Sequence, residues 1–181
     1  MLEDRLLVWR LKRGHRDALC RIYEKYRDDL LRIAAGLLND TGLAEDVVHE
    51  VFATFIRSAP EFELKSNLRG YLMTCAANGA RNVNRSGYRR RTVPLDETAS
   101  VASSDPRPDQ WIILNEDFSR LADALAQLPY EQKEAVLLHI QGRLKFNEIA
   151  AMQETSIGTV QSRYRYGLDK LRSILNGKVT Q

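Results

Sequence analysis

Thr159, Gln161, Ser162, Arg163, Arg165 and Tyr166 set hydrogen-bond donors, acceptors and cations along a segment whose opposite side carries Val160, Tyr164 and Leu168. Side chains of this kind suit phosphate oxygens and the edges of bases. Ser156 stands just ahead of them, where its hydroxyl can accept from the free amides that open a helix. Ile157, Val160, Tyr164, Leu168 and Leu171 then recur at helical spacing. Upstream, Phe146, Ile149, Ala150 and Met152 form a shorter apolar face, which Gln153, Glu154 and Thr155 interrupt. A short helix, a polar break and a Ser-started basic helix make a helix-turn-helix, whose second helix is shaped to enter a DNA major groove. Arg163 is the first candidate for a guanine or phosphate contact. A solvated face on an ordinary amphipathic helix would carry the same residues, and it is the preceding half-motif that favours DNA.

A second group lies earlier. Lys65, Arg69, Arg81, Arg85, Arg89, Arg90 and Arg91 fall in a stretch, 65–95, that has no acidic residue, whereas 96–118 carries Asp96, Glu97, Asp105, Asp109, Glu116 and Asp117 against Arg107 alone. Cations concentrated in this way raise phosphate affinity and make it steeply salt-dependent. Asn67, Asn78, Asn82 and Asn84 add base-edge donors and acceptors, and Tyr71 or Tyr88 could stack on an unpaired base. The bland alternatives stay open for each residue: Tyr71 as core, the arginines as a solvated helix end.

These positions need helices to hold them. With 181 residues the chain has room for one domain or two small ones. From Asp17, the residues Ala18, Leu19, Ile22, Tyr23, Tyr26, Leu30, Leu31, Ala34, Leu37 and Leu38 predict one long helix, broken between Asn39 and Gly42. A helix over 44–57 turns Val47, Val48, Val51, Phe52, Phe55 and Ile56 inward, with Glu45 and Asp46 in the first turn, where they favour the helix dipole. After Pro60, Ser66 or Asn67 caps a third helix with Leu68, Leu72, Cys75, Ala76 and Val83 inside.

Between Thr92 and Gln110 the Pro-, Ser- and Asp-rich composition predicts a flexible linker. Trp111, Ile112 and Ile113 restart the apolar pattern, which Phe118, Leu121, Ala122, Leu125 and Leu128 continue to Pro129, in the first turn of a helix with Val136, Leu137 and Ile140 that Gly142 ends. The expected fold is all-α: a helical domain over 1–92, a linker over 93–110 and a four-helix domain over 111–181 that contains the helix-turn-helix.

Composition excludes several functions. Cys20 and Cys75 lie in apolar helical patterns, as buried reduced thiols, and give no zinc spacing with His15, His49 or His139. Phosphate loops, nucleophile elbows and metalloprotease motifs are missing from the sequence, so neither a cofactor nor catalysis is expected. No apolar run approaches the roughly 20 residues that span a bilayer, and the expected location is the cytoplasm. The net charge of +3 says little until the charges are placed.

LPYEQKEAVLLHIQGRLKFNEIAAMQETSIGTVQSR resembles the promoter-binding carboxy-terminal domain of the extracytoplasmic-function (ECF) subfamily of bacterial RNA polymerase sigma factors. RDALCRIYEKYRDDLLRIAAGLLNDTGLAEDVVHEVFATFIR is similar to that family's polymerase-binding helices, and LRGYLMTCAANGARNVNRSGYRRR to its promoter-melting segment. Both blocks in the expected order make the signal specific. The resemblance implies a subunit that binds core RNA polymerase and promoter DNA, and that is often restrained by an anti-sigma partner. It implies polymerase docking through Glu45, Asp46, His49 and Glu50; downstream-element contacts and melting through Lys65, Asn67, Arg69, Tyr71, Asn78, Arg81, Asn82, Arg85, Arg89, Arg90 and Arg91, with 62–67 as the loop that holds a flipped base; and upstream-element contacts through Ser156, Thr159, Gln161, Ser162, Arg163, Arg165 and Tyr166. The chain departs from the family pattern at Glu154, where Gly is usual, and at His49, Tyr71, Asn82, Gln161 and Tyr166. The main rival is a stand-alone helix-turn-helix repressor or activator; a helical adaptor comes next, and an enzyme last.

Overall fold

The structure, a computed structural model, describes residues 2–64, 67–92 and 115–177, with side chains as far as residue 86 on the helix after Asn67 and from residue 120 on the helix that begins at Asn115. Lys65, Ser66, the linker expected at 93–110 and the apolar restart at Trp111, Ile112 and Ile113 lie outside the described residues, as do the side chains of Tyr88, Arg89, Arg90 and Arg91.

Every regular element among the described residues is an α-helix: α1 (Leu2–Lys12), α2 (Arg16–Leu38), α3 (Thr41–Ser58), α4 (Leu68–Thr92), α5 (Asn115–Ala126), α6 (Tyr130–Ile140), α7 (Phe146–Met152) and α8 (Ile157–Gly177). The apolar stripe of α2 is buried through Ala18, Ile22, Tyr26, Leu30, Ile33, Ala34 and Leu37. It stops where Asn39 takes a left-handed conformation, φ 54°, and returns its N–H to the Ala35 carbonyl. Asp40 then accepts from the Leu43 amide at 2.9 Å. With that cap α3 starts at Thr41, earlier than the periodicity predicts, so Gly42 belongs to its first turn rather than to the break, and Asp40 takes the place at the dipole that Glu45 and Asp46 were expected to fill.

Helices α2, α3 and α4 share one core. Tyr23 and Phe52 meet with ring centroids 4.8 Å apart, and Phe55, 1% exposed, packs against Phe62 at 5.2 Å and Tyr71 at 6.2 Å. Asn67 caps α4 by accepting from the Gly70 amide. Leu68, Leu72, Met73, Ala76, Ala77 and Ala80 are buried along α4, while Cys75 and Val83 are half-buried. At Gly79 a Cβ would lie 2.9 Å from Val47 Cγ1, so the small residue sets how closely α3 and α4 approach.

The periodicity did not predict α1. Its apolar residues surround the helix, with Leu7 and Val8 inside and Leu2, Leu6 and Trp9 exposed. Asp4 fastens it to α2, accepting from the Tyr26 hydroxyl at 2.7 Å and the Lys25 ammonium at 2.9 Å. Burial alone would raise the Asp4 carboxyl, but these two hydrogen bonds outweigh it and hold the group below the usual carboxylate range. Burial and the Asp4 bond push the Tyr26 phenol up to about 12.

In the second domain Pro129 is the N-cap of α6. Gly167 of α8 touches α6 where a Cβ would lie 2.8 Å from Val136 Cγ2. At the end of α6 it is Arg143, not Gly142, that takes the left-handed conformation, with φ 53°; Gly142 is small because a side chain there would meet the Leu138 carbonyl. The apolar expectation fails at Ile56, Ile140, Ile157 and Ala122, which are exposed, and at Cys20, which is exposed rather than buried. Cys75 is half-buried, and burial raises its thiol pKa. The two domains touch: a Cβ on Gly36 of α2 would lie 2.9 Å from Leu137 Cδ1 of α6.

Candidate nucleic-acid interface

Ser156 opens α8 as expected, its Oγ accepting from the Thr159 amide at 3.0 Å and lying 2.8 Å from the Thr159 hydroxyl. The turn before it is closed by Thr155 N–H donating to the Ala150 carbonyl at 3.0 Å, with Glu154 left-handed at φ 51°. A side chain in that conformation is strained by about 1–2 kcal/mol, which the surrounding turn sustains. Beneath the motif, His139 stacks on Phe146 at 4.1 Å and meets Tyr164 edge-on at 4.9 Å. Its Nδ1 lies 2.9 Å from the Leu144 carbonyl, which can only accept, so that nitrogen carries the proton. Val160 and Leu171 are buried, and Tyr164 and Leu168 are half-buried behind the outer face.

On that outer face Gln161, Arg165 and Tyr166 are exposed, and the Arg165 guanidinium lies 5.1 Å from the centre of the Tyr166 ring. Thr159, Ser162 and Arg163 are half-buried. Arg163 is held from behind: its Nη1 donates to Gln153 Oε1 at 2.8 Å.

The basic residues of α4 divide into two sets. Asn78, Asn82 and Arg85 are exposed. Asn67 is used as a cap, and Tyr71 packs against Phe62 with centroids 4.7 Å apart, inside the aromatic cluster. Arg69 and Arg81 reach the other domain. Arg69 donates to Asp29 Oδ2 from Nε at 3.1 Å and Nη2 at 2.9 Å, and to the carbonyls of Gln141 at 2.7 Å and Gly142 at 2.6 Å. Arg81 places Nη2 between the two oxygens of Glu134, at 2.8 and 2.7 Å, and Nη1 2.7 Å from the Met152 carbonyl.

The periodicity did not single out Glu134 or Gln153. Glu134 is fully buried, and it also accepts from Gln153 Nε2 at 2.8 Å and from the Tyr130 hydroxyl at 3.4 Å. A buried carboxylate needs such partners. Burial would lower the Arg81 pKa, but the Glu134 hydrogen bond and charge outweigh it and raise it; burial and then Glu134 push the Tyr130 phenol far up. One signal was available: Glu134 stands one helical turn from Leu137 and Leu138, on the buried side of α6.

Glu45, Asp46, His49 and Glu50 are all exposed along α3. Glu45 and His49 border a shallow depression with Tyr23, Arg27, Leu31 and Val48. Glu50 accepts from Arg57 at 2.7 Å and Thr54 at 2.9 Å, and chiefly the Arg57 bond holds its carboxyl below the usual range. Among the described residues no helix is long and apolar enough to cross a membrane, and no group of three or more His, Cys, Asp or Glu is placed to hold a metal ion.

Residues 22–92 match Sigma-70 region 2, and residues 118–171 match Sigma-70, region 4. The chain is 30% identical to the RNA polymerase sigma factor CarQ of Myxococcus xanthus, over 92% of this chain and 94% of that protein. It is 26% identical to the ECF RNA polymerase sigma factor EcfG of Rhodopseudomonas palustris, over 84% of this chain and 86% of that protein. Among solved structures, the sigma factor RpoE of Bartonella quintana in complex with the anti-sigma factor NepR aligns with a TM-score of 0.64 at 26% identity, covering 84% of this chain and 91% of that one. CnrH in complex with the cytosolic domain of CnrY shares the fold, with a TM-score of 0.68 at 19% identity over 97% of this chain and 98% of that one.

Proposed function

Because the chain belongs to the ECF subfamily of RNA polymerase sigma factors, we propose that three of its helices divide the work of initiation. As a sigma factor it binds core RNA polymerase, directs it to promoters and takes part in opening the duplex. Helix α3 docks on the polymerase: Glu45, Asp46, His49 and Glu50 are exposed in line while Val47, Val48 and Val51 are buried behind them. Charges in such a rim contribute mainly to rate and specificity. Helix α4 meets the downstream element with Asn78, Arg81, Asn82 and Arg85, and with Arg89, Arg90 and Arg91 further along, while Lys65, Asn67, Arg69 and Tyr71 belong to the same reader at its amino-terminal end. Helix α8 meets the upstream element with Ser156, Thr159, Gln161, Ser162, Arg163, Arg165 and Tyr166.

The observation that carries this assignment is the Ser156-capped α8, which presents Gln161, Arg165 and Tyr166 to solvent above a core that fixes its angle on α6. Residues 1–92 form the polymerase-binding and promoter-melting unit, 93–110 the flexible linker and 111–181 the four-helix DNA-binding unit with the helix-turn-helix. Bond-making belongs to the polymerase, and the chain works beside it in the cytoplasm without a cofactor. An anti-sigma factor that covers these surfaces is part of the proposal, supported by the RpoE relative solved in such a complex.

Run-off transcription with core polymerase and a library of host promoters tests the assignment. Start-site selection that requires the added chain is expected. Tight, sequence-specific binding by the free chain in a gel shift, with no effect on core polymerase, would instead identify a stand-alone regulator.

A further inference from the structure

Gln153 stands where α7 ends and the turn begins, and its side-chain amide meets groups that each allow only one polarity of hydrogen bond. Its backbone N–H donates to the Ile149 carbonyl at 2.9 Å, which ties the residue to the last turn of α7. The amide nitrogen donates to the Glu131 carbonyl at 3.1 Å and to the Glu134 carboxylate at 2.8 Å, and both of these only accept. The amide oxygen receives Arg163 Nη1 at 2.8 Å, and a guanidinium only donates. Turning the amide over would set oxygen against the carboxylate and nitrogen against the guanidinium, so a single orientation satisfies all its partners. Glu134 is fully buried, and its bonds to Gln153 and Tyr130 lie within the second domain, independent of Arg81.

We propose that Gln153 is a positioning residue for promoter recognition: it aims the Arg163 guanidinium at the upstream element, and Glu134 fixes which way Gln153 presents its oxygen. The inference rests on the assignment of α8 to that element. Gln153 engages Nη1 alone, and among the described residues Nη2 and Nε of Arg163 have no partner. A planar guanidinium held at one corner has its remaining edge set in direction, and that edge suits bidentate contact with a phosphate or a base. Without the amide, Arg163 would have to give up its rotamer freedom on meeting DNA. The last turn of α7 therefore orients a cation of α8, so the first helix of the motif tunes what the second one reads. Gln153 itself acts only through Arg163.

A double-variant cycle in the full-length chain, bound to core polymerase, tests this. The measurement is affinity for a fluorescent promoter duplex taken from the run-off transcription, with circular dichroism as the check on folding. Gln153→Met keeps the length of the side chain and removes its polar bonds. It is expected to weaken binding about 2- to 10-fold, the worth of one long side chain that must be ordered on binding. In the Arg163→Ala background the same change should move affinity by less than about twofold, since nothing is left to aim. Equal weakening in both backgrounds would mark Gln153 as merely structural and overturn the proposal, and so would unchanged binding by Gln153→Met alone. A second variant, Gln153→Glu with Glu134→Gln, exchanges the polarity of the pair while keeping an acceptor against Arg163, and it stays informative if Gln153→Met fails to fold. It is expected to bind within about twofold of the parent chain; a larger loss by the folded exchange overturns the proposal. Unchanged binding on Arg163→Ala alone is the separate failure, that of Arg163 as a contact of α8, and it takes the proposal with it.

Discussion

Arg163, on the recognition helix, donates to the side-chain oxygen of Gln153 at 2.8 Å, and the amide nitrogen of the same Gln153 donates to the buried Glu134 and to the Glu131 carbonyl. A cation fixed from behind in this way loses less rotamer freedom when it meets DNA. Arg163→Ala should weaken promoter DNA binding by about 1–3 kcal/mol at one base position if the guanidinium reads a base, or lower the salt slope by about one if it holds a phosphate. Titrations of the polymerase complex at several salt concentrations separate the two, and an unchanged affinity and slope would remove Arg163 from the interface.

Glu154 occupies a left-handed turn position that glycine fills without strain, and its side chain is exposed. Glu154→Gly should raise stability by about 1 kcal/mol, the strain relieved less the entropy that glycine adds to the unfolded chain. Urea unfolding measures it; a loss of stability would mean that the glutamate makes an interaction stronger than the strain.

Glu45 and Asp46 are exposed on α3, outside its first turn. Glu45→Lys with Asp46→Lys should slow association with immobilised core polymerase by about tenfold or more at low salt, with a much smaller change in dissociation. An unaltered association rate would place polymerase docking elsewhere.

Asp4 is 7% exposed, and its carboxyl titrates below the ordinary value of 3.8 through its bonds to Lys25 and Tyr26. A carboxyl whose folded pKa is depressed stabilises the folded state above its unfolded pKa, and that contribution is lost as pH falls through the folded pKa. Helix α1 should therefore loosen in acid below the ordinary carboxylate range, with faster amide exchange at Leu7 and Val8. Asp4→Asn should lower stability by about 1–3 kcal/mol at neutral pH and flatten that acid dependence.

Phe55 is 1% exposed and lies against Phe62 and Tyr71. Phe55→Ala should cost about 3–5 kcal/mol in denaturant unfolding of the first domain, through lost burial and the cavity left behind. A cost under about 1 kcal/mol would show that the cluster collapses to fill the space.

Helix existence was legible wherever apolar residues recur on one side. The runs through Ile22, Tyr26, Leu30 and Ala34, through Val47, Val51 and Phe55, and through Val160, Tyr164 and Leu168 predicted α2, α3 and α8. The Ser156 cap was legible for the same local reason, since a hydroxyl and an amide three residues apart meet in any helix that starts there. Helix α1 was not, because its apolar residues form no stripe. Ile56, Ile140 and Ile157 were misplaced at the edges of stripes, where a small rotation of the helix decides between core and solvent.

By itself, then, the sequence determined the all-α class, the order of the two blocks, the helix-turn-helix with its Ser156 cap and the identity of the basic residues, because each depends on neighbours within a few turns of chain. Only the tertiary structure decided that Tyr71 packs with Phe55 and Phe62, that α2 lies against α6, and that Arg69 and Arg81 of α4 point at Gln141, Gly142, Met152 and Glu134. Helical spacing tells which side of a helix is apolar, but not which distant helix will cover it. Pairings such as Arg81 with Glu134 follow from the packing of whole helices, which no local pattern encodes.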